Sequence, residues 1–170
     1  MHGQSAGAPI LLTPNATGTA TANRGSASGS LGRPGLSATG RHTVFVSSAS
    51  DLVSGDTNGT VIDVFVRDRV ANTTTLVSAT PGGTSGNNES GWPTVTPGGT
   101  LVVFDSQASD LVADDTNLHR DIFARDLLTN TTERLSVSTS GTQANSPSGI
   151  GEDIAVSDDG DTSPSSAPHR

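Results

Sequence analysis

The sequence has no cysteine and few aromatic residues, and it contains no long apolar run. Without cysteine it can form no disulfide, no thiol nucleophile and no Cys-based zinc site. Only 31% of the residues are hydrophobic and 3% aromatic, so we expect a small core built mainly from Val, Leu and Ile. The longest apolar stretches extend over a few residues, too short to span a membrane. The first residues also lack the basic region of a signal peptide, and none is predicted.

The charge balance argues against nucleic acid as a partner. The formal net charge is −8, and every basic residue is an arginine. An acidic surface repels phosphate backbones, and no arginine cluster is interleaved with aromatic residues. Gly, Pro, Ser and Thr are abundant, a composition typical of short strands separated by turns. We therefore expect an all-β protein that does not bind nucleic acid.

The chain repeats itself with a period of roughly 59 residues. The stretch "ASDLVSGDTNGTVIDVFVRD", residues 49–68, returns as "ASDLVADDTNLHRDIFARD", residues 108–126. Upstream, "GRPGLSATGRHTVF" aligns with "GWPTVTPGGTLVVF", and a third copy begins at "DIAVSDDGDT". Most of the chain is thus one unit, present twice and then started again.

Each unit has the pattern of four short strands, which we name a to d. In the second unit these are "PTVT", "TLVVFDS", "DIFARDL" and "TERLSVS". A glycine turn, an acidic loop and an Asn/Thr turn connect them. Four consecutive strands at this spacing form one antiparallel sheet, which must stack on copies of itself to bury both faces. Trp92, where a strand enters the second unit, is expected to pack between neighbouring sheets.

These motifs resemble the repeats of TolB-like, WD-repeat-like β-propellers. The resemblance rests on "SDDGD" and "SATGRHTVFVSS" as a strand–turn–strand opening and on "DVFVRD" and "DIFARDL" as the next strand. It implies a partial β-propeller of four-stranded antiparallel blades, with two full blades plus flanking single strands. It also implies a module that binds proteins outside the cytoplasm, in the periplasm or as a secreted protein.

The repeat predicts five segments. Residues 1–31 carry the last strand of a preceding blade, 32–90 form the first blade and 91–150 the second. Residues 151–162 start a third blade, and 163–170 form a disordered tail. Two blades cannot close a ring, which typically needs 4–8 of them. We therefore expect either a fragment of a longer propeller or completion by other copies in a homo-oligomer.

The acidic loops are the best candidates for a chemical role. Asp and Asn at alternate positions can wrap a hard cation such as calcium, which takes oxygen ligands. The candidate ligands are Asp56, Asn58 and Asp63 in the first loop and Asp115, Asn117 and Asp121 in the second. The alternative is that these Asp and Asn residues only make turns, and that Asp63 and Asp121 bond to the backbone inside their blades. Asp51 and Asp110 are expected to cap turns in the same way.

No catalytic constellation stands out. The "GQSAG" at residues 3–7 matches a nucleophile elbow, but no strand, helix or hydrolase sheet surrounds it. The four histidines do not combine into a triad or a two-histidine metal spacing. We predict a non-catalytic module for protein binding or scaffolding. The alternatives are the propeller portion of a hydrolase or peptidase, and a calcium-stabilised extracellular array.

Overall fold

The computed structural model describes residues 14–17, 20–27, 32, 34–149 and 156–157. Nine strands and no helix lie within these ranges. The strands are β1 (Ser26–Ala27), β2 (Gly35–Leu36), β3 (His42–Ser47), β4 (Asp63–Asp68), β5 (Thr73–Leu76), β6 (Ser90–Val95), β7 (Leu101–Ser106), β8 (Asp121–Asp126) and β9 (Thr131–Arg134). The predicted tail at 163–170 and nearly all of the predicted third-blade strand lie outside the described residues, as does the elbow at 3–7.

The strands form two antiparallel sheets in sequence order. In the first, which with its loops we call blade 1, β3, β4 and β5 pair in turn, while β1 and β2 both pair with β3. In the second, blade 2, the order is β6-β7-β8-β9. The two sheets repeat the same register, since Phe45 faces Phe65 across β3 and β4 just as Phe104 faces Phe123 across β7 and β8. The predicted all-β, partial β-propeller architecture is confirmed.

Strand a is irregular at the same place in both blades. In blade 2 the register of β6 shifts between Gly91 and Thr94, where Trp92 has a φ of 48° and Pro93 has no N–H to donate. In blade 1 the corresponding edge is divided into β1 and β2, and both pieces pair with β3. Ser26–Ala27, assigned by sequence to the segment before the first blade, therefore pairs within the blade 1 sheet.

An apolar layer between the two sheets forms the larger core. Blade 1 contributes alternate residues of its central strands, and blade 2 contributes the opposite face of its own. The buried members are Val44, Val46, Val64, Val66, Val77, Val95, Val102, Phe104, Ala108, Leu111 and Phe123. Burying a side chain of this kind stabilises the fold by about 1.5–3 kcal/mol, so this layer holds the blades together.

The other face of blade 1 carries a second, smaller cluster. Phe45 and Phe65 stack with ring centroids 5.7 Å apart and pack with Leu52 and Leu76. The equivalent rings in blade 2, Phe104 and Phe123, are 5.9 Å apart and lie in the layer between the blades. Nearly every residue of β3, β4 and β7 is buried.

The turn between β6 and β7 offers a test of the packing between blades. Gly99 has a φ of 77°, and a Cβ there would overlap the imidazole Nδ1 of His42 in blade 1. We expect Gly99→Ala to lower the free energy of unfolding by about 1–3 kcal/mol, since it combines backbone strain with that overlap. Urea unfolding followed by the fluorescence of Trp92 measures the change.

The neighbouring glycine is the matched control. A Cβ on Gly98 would meet no atom within 4 Å. Gly98→Ala should leave stability within about 0.5 kcal/mol of the parent. Equal effects of the two substitutions would show that the turn does not rest against blade 1.

Candidate functional site: the acidic loops and the connections between blades

The first acidic loop is organised around Asp63, the first residue of β4. Its Oδ1 accepts a hydrogen bond of 2.6 Å from the Ser78 hydroxyl, and its Oδ2 accepts one of 2.8 Å from Asn58 Nδ2. The same amide group of Asn58 donates to the carbonyl oxygen of Gly86 at 2.9 Å. The Ser78 hydroxyl in turn accepts the backbone N–H of Val64. Asp63 thus links the loop, the start of strand c and the end of strand d.

The second loop repeats this network around Asp121. Its Oδ1 accepts from the Ser136 hydroxyl at 2.5 Å, and its Oδ2 accepts from Asn117 Nδ2 at 2.7 Å. Asn117 also donates to the carbonyl oxygen of Ala144 at 3.0 Å. The agreement between the blades shows that the D-x-N pattern supports blade structure. Each aspartate is held by side-chain donors, whereas the sequence suggested backbone ones.

The electrostatics of the first loop are dominated by burial. Asp63 has no exposed surface, and burial raises its pKa to about 6, although the hydrogen bonds from Ser78 and Asn58 act in the opposite direction. The carboxylates of Asp56 and Asp110 raise it further. Burial also raises the pKa of Asp56. The two acidic side chains of this loop are therefore costly to keep ionised together.

The two loops differ in the partners of the outer aspartate and of the asparagine side-chain oxygen. In blade 2, Asp115 Oδ1 lies 3.2 Å from Arg134 Nη1, and Asn117 Oδ1 accepts the backbone N–H of His119. In blade 1, the position of Arg134 is taken by Leu76, since each lies opposite the phenylalanine of strand c. Asp56 Oδ1 and Asn58 Oδ1 are buried and accept no hydrogen bond from the described part of the chain.

The loops also connect successive blades through Asp51 and Asp110, which we call the clasps. Asp51 Oδ1 accepts the backbone N–H of Asn23 at 2.9 Å, and the Asn23 side chain donates to the Ser50 hydroxyl. Asp110 Oδ1 accepts the backbone N–H of Asn87 at 3.0 Å, and Asn87 donates to Ser109. Each clasp joins the loop of one blade to the segment that precedes that blade.

The sequence predicted a turn-capping role for these aspartates but not their partners. Asn23 ends a stretch, residues 10–23, that resembles residues 135–145 in sequence, whereas Asn87 lies outside the aligned motifs. The signal was present in the small residues before each asparagine, as in "TAN", "SGN" and, at residues 143–145, "QAN". The asparagine at each of these positions follows a short hairpin, marked by the bridges Pro14–Thr21, Ala79–Ser85 and Val137–Gln143.

The two histidines that the structure describes, His42 and His119, do not assemble a catalytic group. His42 Nε2 lies 3.5 Å from Asp68, whose carboxylate is bound by Arg41, and His119 lies in the second acidic loop. Within the described ranges, no three or more His, Asp or Glu side chains converge to hold a metal ion. In the same ranges, no helix is long and apolar enough to cross a bilayer. Each of the two candidate cation loops combines carboxylates with an amide oxygen.

Comparisons with known proteins include a distant structural likeness. No protein-family model matches the chain, and no curated protein matches it. Among solved structures, TolB from Acinetobacter baumannii aligns with 60% of this chain at 17% sequence identity and a TM-score of 0.37. The aligned part spans 20% of the TolB chain. The likeness is distant and concerns the fold alone.

The raised carboxyl pKa values predict a pH dependence of stability. The pKa of Asp63 rises from 3.8 to about 6, so the folded state holds this proton more tightly than the unfolded chain does. Stability from this group is therefore present at low pH and is lost as pH rises through about 6. Burial also raises the pKa of Asp105 and of Asp115. Arg41 lowers the pKa of Asp68, whose contribution is lost only below its ordinary value of 3.8.

We expect the free energy of unfolding in urea to be greater at pH 5 than at pH 7 by about 1–3 kcal/mol. The side chain of Asp63→Asn keeps an oxygen that can accept from Ser78, but it does not titrate. The substitution should therefore remove most of the difference in unfolding free energy between pH 5 and pH 7. A parent protein equally stable at both pH values would contradict the prediction.

Proposed function

We propose that the chain is a non-catalytic β-propeller module that acts in scaffolding or protein binding, and that the free face of blade 2 receives a further blade of the same repeat. The supporting observation is the third asparagine in the clasp series. Asn145 occupies the position of Asn87, but it is exposed and makes no side-chain hydrogen bond with the described residues. Its matching Ser-Asp would come from the next blade.

The backbone after blade 2 begins the next strand in the same register. The N–H of Ser90 donates to the carbonyl oxygen of Ile62 at 2.9 Å as β6 begins along blade 1. In the same way, the N–H of Ser148 donates to the carbonyl oxygen of Arg120 at 2.7 Å. Gly149 then lies against Asp105 and Ile122, where even a Cβ would be tight at 3.1 Å. The repeat geometry therefore continues past the second blade.

The free face of blade 2 is more polar than the layer between the blades. Asp105 and Arg120 stand at the positions of Val46 and Ile62 in blade 1, and they form an ion pair of 2.6 Å. Asp105 is fully buried, and its Oδ2 has no hydrogen-bond partner in the described structure. This side of blade 2 therefore carries a buried charged pair where the layer between the blades carries two apolar residues.

An added blade tests the proposal. We would insert a second copy of residues 92–149 after Gly149, so that the copied Ser109 and Asp110 can meet Asn145. The extended chain should be more stable than the parent, by the nearest-neighbour coupling expected for repeat arrays. Asn145→Ala should destabilise the extended chain by about 1 kcal/mol and leave the parent nearly unchanged.

Two outcomes would contradict it. An extended chain that unfolds at the parent's urea midpoint would show no coupling. An equal loss for Asn145→Ala in both chains would show that Asn145 serves blade 2 alone. Light scattering on the parent distinguishes a second source of the blade, because completion by other copies of this chain would give a defined oligomer.

The sequence suggests three further proposals, which concern location, catalysis and calcium. An extracytoplasmic location rests on the family resemblance. Membership in a hydrolase or peptidase would place catalysis in a separate domain, and no contact in the described blades favours it. A calcium-stabilised array has one specific observation in its favour, the unsatisfied oxygens of Asp56 and Asn58.

Calcium binding, if it occurs, is predicted for the first loop alone. Asp56 Oδ1 and Asn58 Oδ1 are free to bind a cation beside Asp63, whereas in the second loop the positive charge of Arg134 already lies 3.2 Å from Asp115 Oδ1 and the N–H of His119 donates to Asn117 Oδ1. Millimolar calcium should raise the melting temperature of the parent, because a ligand of the native state stabilises it. Asp56→Asn should abolish the shift, while the matched Asp115→Asn should retain it. No shift in the parent would refute the calcium proposal.

A further inference from the structure

Both blades bury an arginine at the same position of strand c. Arg67 on β4 and Arg125 on β8 are only 5% and 6% exposed. They stand in the matching motifs "FVRD" and "FARD". A guanidinium removed from water to this extent normally has a carboxylate partner, since an uncompensated buried charge is strongly destabilising.

Neither arginine has such a partner in the described part of the chain. Arg67 donates from Nη1 to the Thr74 hydroxyl at 3.2 Å and from Nη2 to the side-chain oxygen of Asn72. Arg125 donates from Nη1 to the Thr132 hydroxyl at 2.9 Å. These acceptors are neutral. The Nε atom of each guanidinium is buried and has no hydrogen-bond acceptor among the described residues.

Each arginine lines a cavity beside strand d of blade 1. The cavity at Arg67 has a volume of about 650 Å³, with Asn72 and Thr73 on its wall and Leu52 and Val53 beside them. The cavity at Arg125 has a volume of about 410 Å³. Its wall includes Asn130, which follows strand c as Asn72 does in blade 1, together with the hairpin at residues 81–83.

The two arginines therefore share burial, neutral partners, an unsatisfied Nε and an adjoining cavity. Burial lowers the pKa of both guanidiniums, in agreement with the absence of a strong ion pair. The only carboxylate that affects Arg67 is that of Asp68, which is already held by two hydrogen bonds from Arg41 Nε and one from Nη2. An anion in the cavity would supply the missing charge.

We propose that these cavities bind carboxylate groups, one at Arg67 and one at Arg125. A carboxylate matches the planar donors of a guanidinium and carries a single negative charge. A phosphate group carries more charge than one guanidinium balances, and the chain's net charge of −8 repels it. Described residues line both cavities, including residues 14–17 before blade 1 at the Arg67 cavity, so the proposal does not depend on a further blade.

The carboxylate could be that of a small acid or of a peptide, and the test separates these sources. The protein, labelled with nitrogen-15, is titrated with sodium acetate, with a short peptide ending in a free carboxylate, and with the same peptide amidated. The signals observed are the Nε–H resonances of arginine. Sodium chloride at equal ionic strength and sodium phosphate serve as the reference anions.

We expect the Arg67 and Arg125 resonances to shift saturably with acetate, with the free peptide or with both. A shift with acetate identifies the bare carboxylate as sufficient. A shift with the free peptide alone identifies a peptide source, provided that the amidated peptide has no effect. Arg67→Gln and Arg125→Gln each remove the arginine resonance of the altered cavity, so binding there is followed by the backbone amide of Asn72 or Asn130 on its wall. It should weaken roughly tenfold or more, a loss of about 1.4 kcal/mol, while the other cavity still responds.

The control variant is Arg69→Gln, which changes an exposed arginine in the turn after β4 without affecting either cavity. It should bind like the parent. The proposal is overturned if neither buried resonance shifts with any carboxylate, if phosphate shifts both equally well, or if exposed arginines shift with the same concentration dependence. Since the titration of the parent already decides these outcomes, a substituted protein that does not fold leaves the result intact.

Discussion

The packing of one four-stranded sheet on the next is the interaction on which the rest of this structure depends. A single sheet of this size cannot bury both of its faces, so its central strands become stable only between neighbours. In blade 1 the valines of β3 and β4 face blade 2, while Phe45 and Phe65 face the other way. The repeat of about 59 residues exists because each blade must present the same two faces.

The polar features follow from this stacking. Sheets that stack leave loops and connections at their ends, and the buried polar groups there need partners. Asp63 and Asp121 satisfy them within a blade, through a serine hydroxyl and an asparagine amide. The clasps satisfy them between a blade and the segment that enters it. The same pairs of residue types appear in both blades, so these contacts belong to the repeat and not to a single site.

The differences between the repeats are where specific function is expected. Asp115 has Arg134 beside it, whereas Asp56 has no cation because Leu76 stands in the place of that arginine. Asp105 and Arg120 replace two apolar residues on the free face of blade 2. Arg67 and Arg125, in contrast, are the same in both blades. Each is a buried charge for which the described chain offers no counterion. Function in repeat folds is grafted on individual sites, so these two shared arginines are candidates for function as well as the positions at which the blades differ.

The sequence by itself determined the strands, the repeat and the stacking of blades, because these depend on local alternation and on a period that can be read directly. Strands b and c form where "TLVVFDS" and "DIFARDL" predicted them, whereas strand d covers only Thr131–Arg134 and not the whole of the predicted "TERLSVS". It also identified the acidic loops, although it left open whether they bind a cation. Only the tertiary structure decided which atoms in those loops are already satisfied, which asparagine each clasp aspartate holds, and that Arg67 and Arg125 are buried beside cavities. These properties depend on contacts between residues that are distant in the chain, so no local pattern of residues could reveal them.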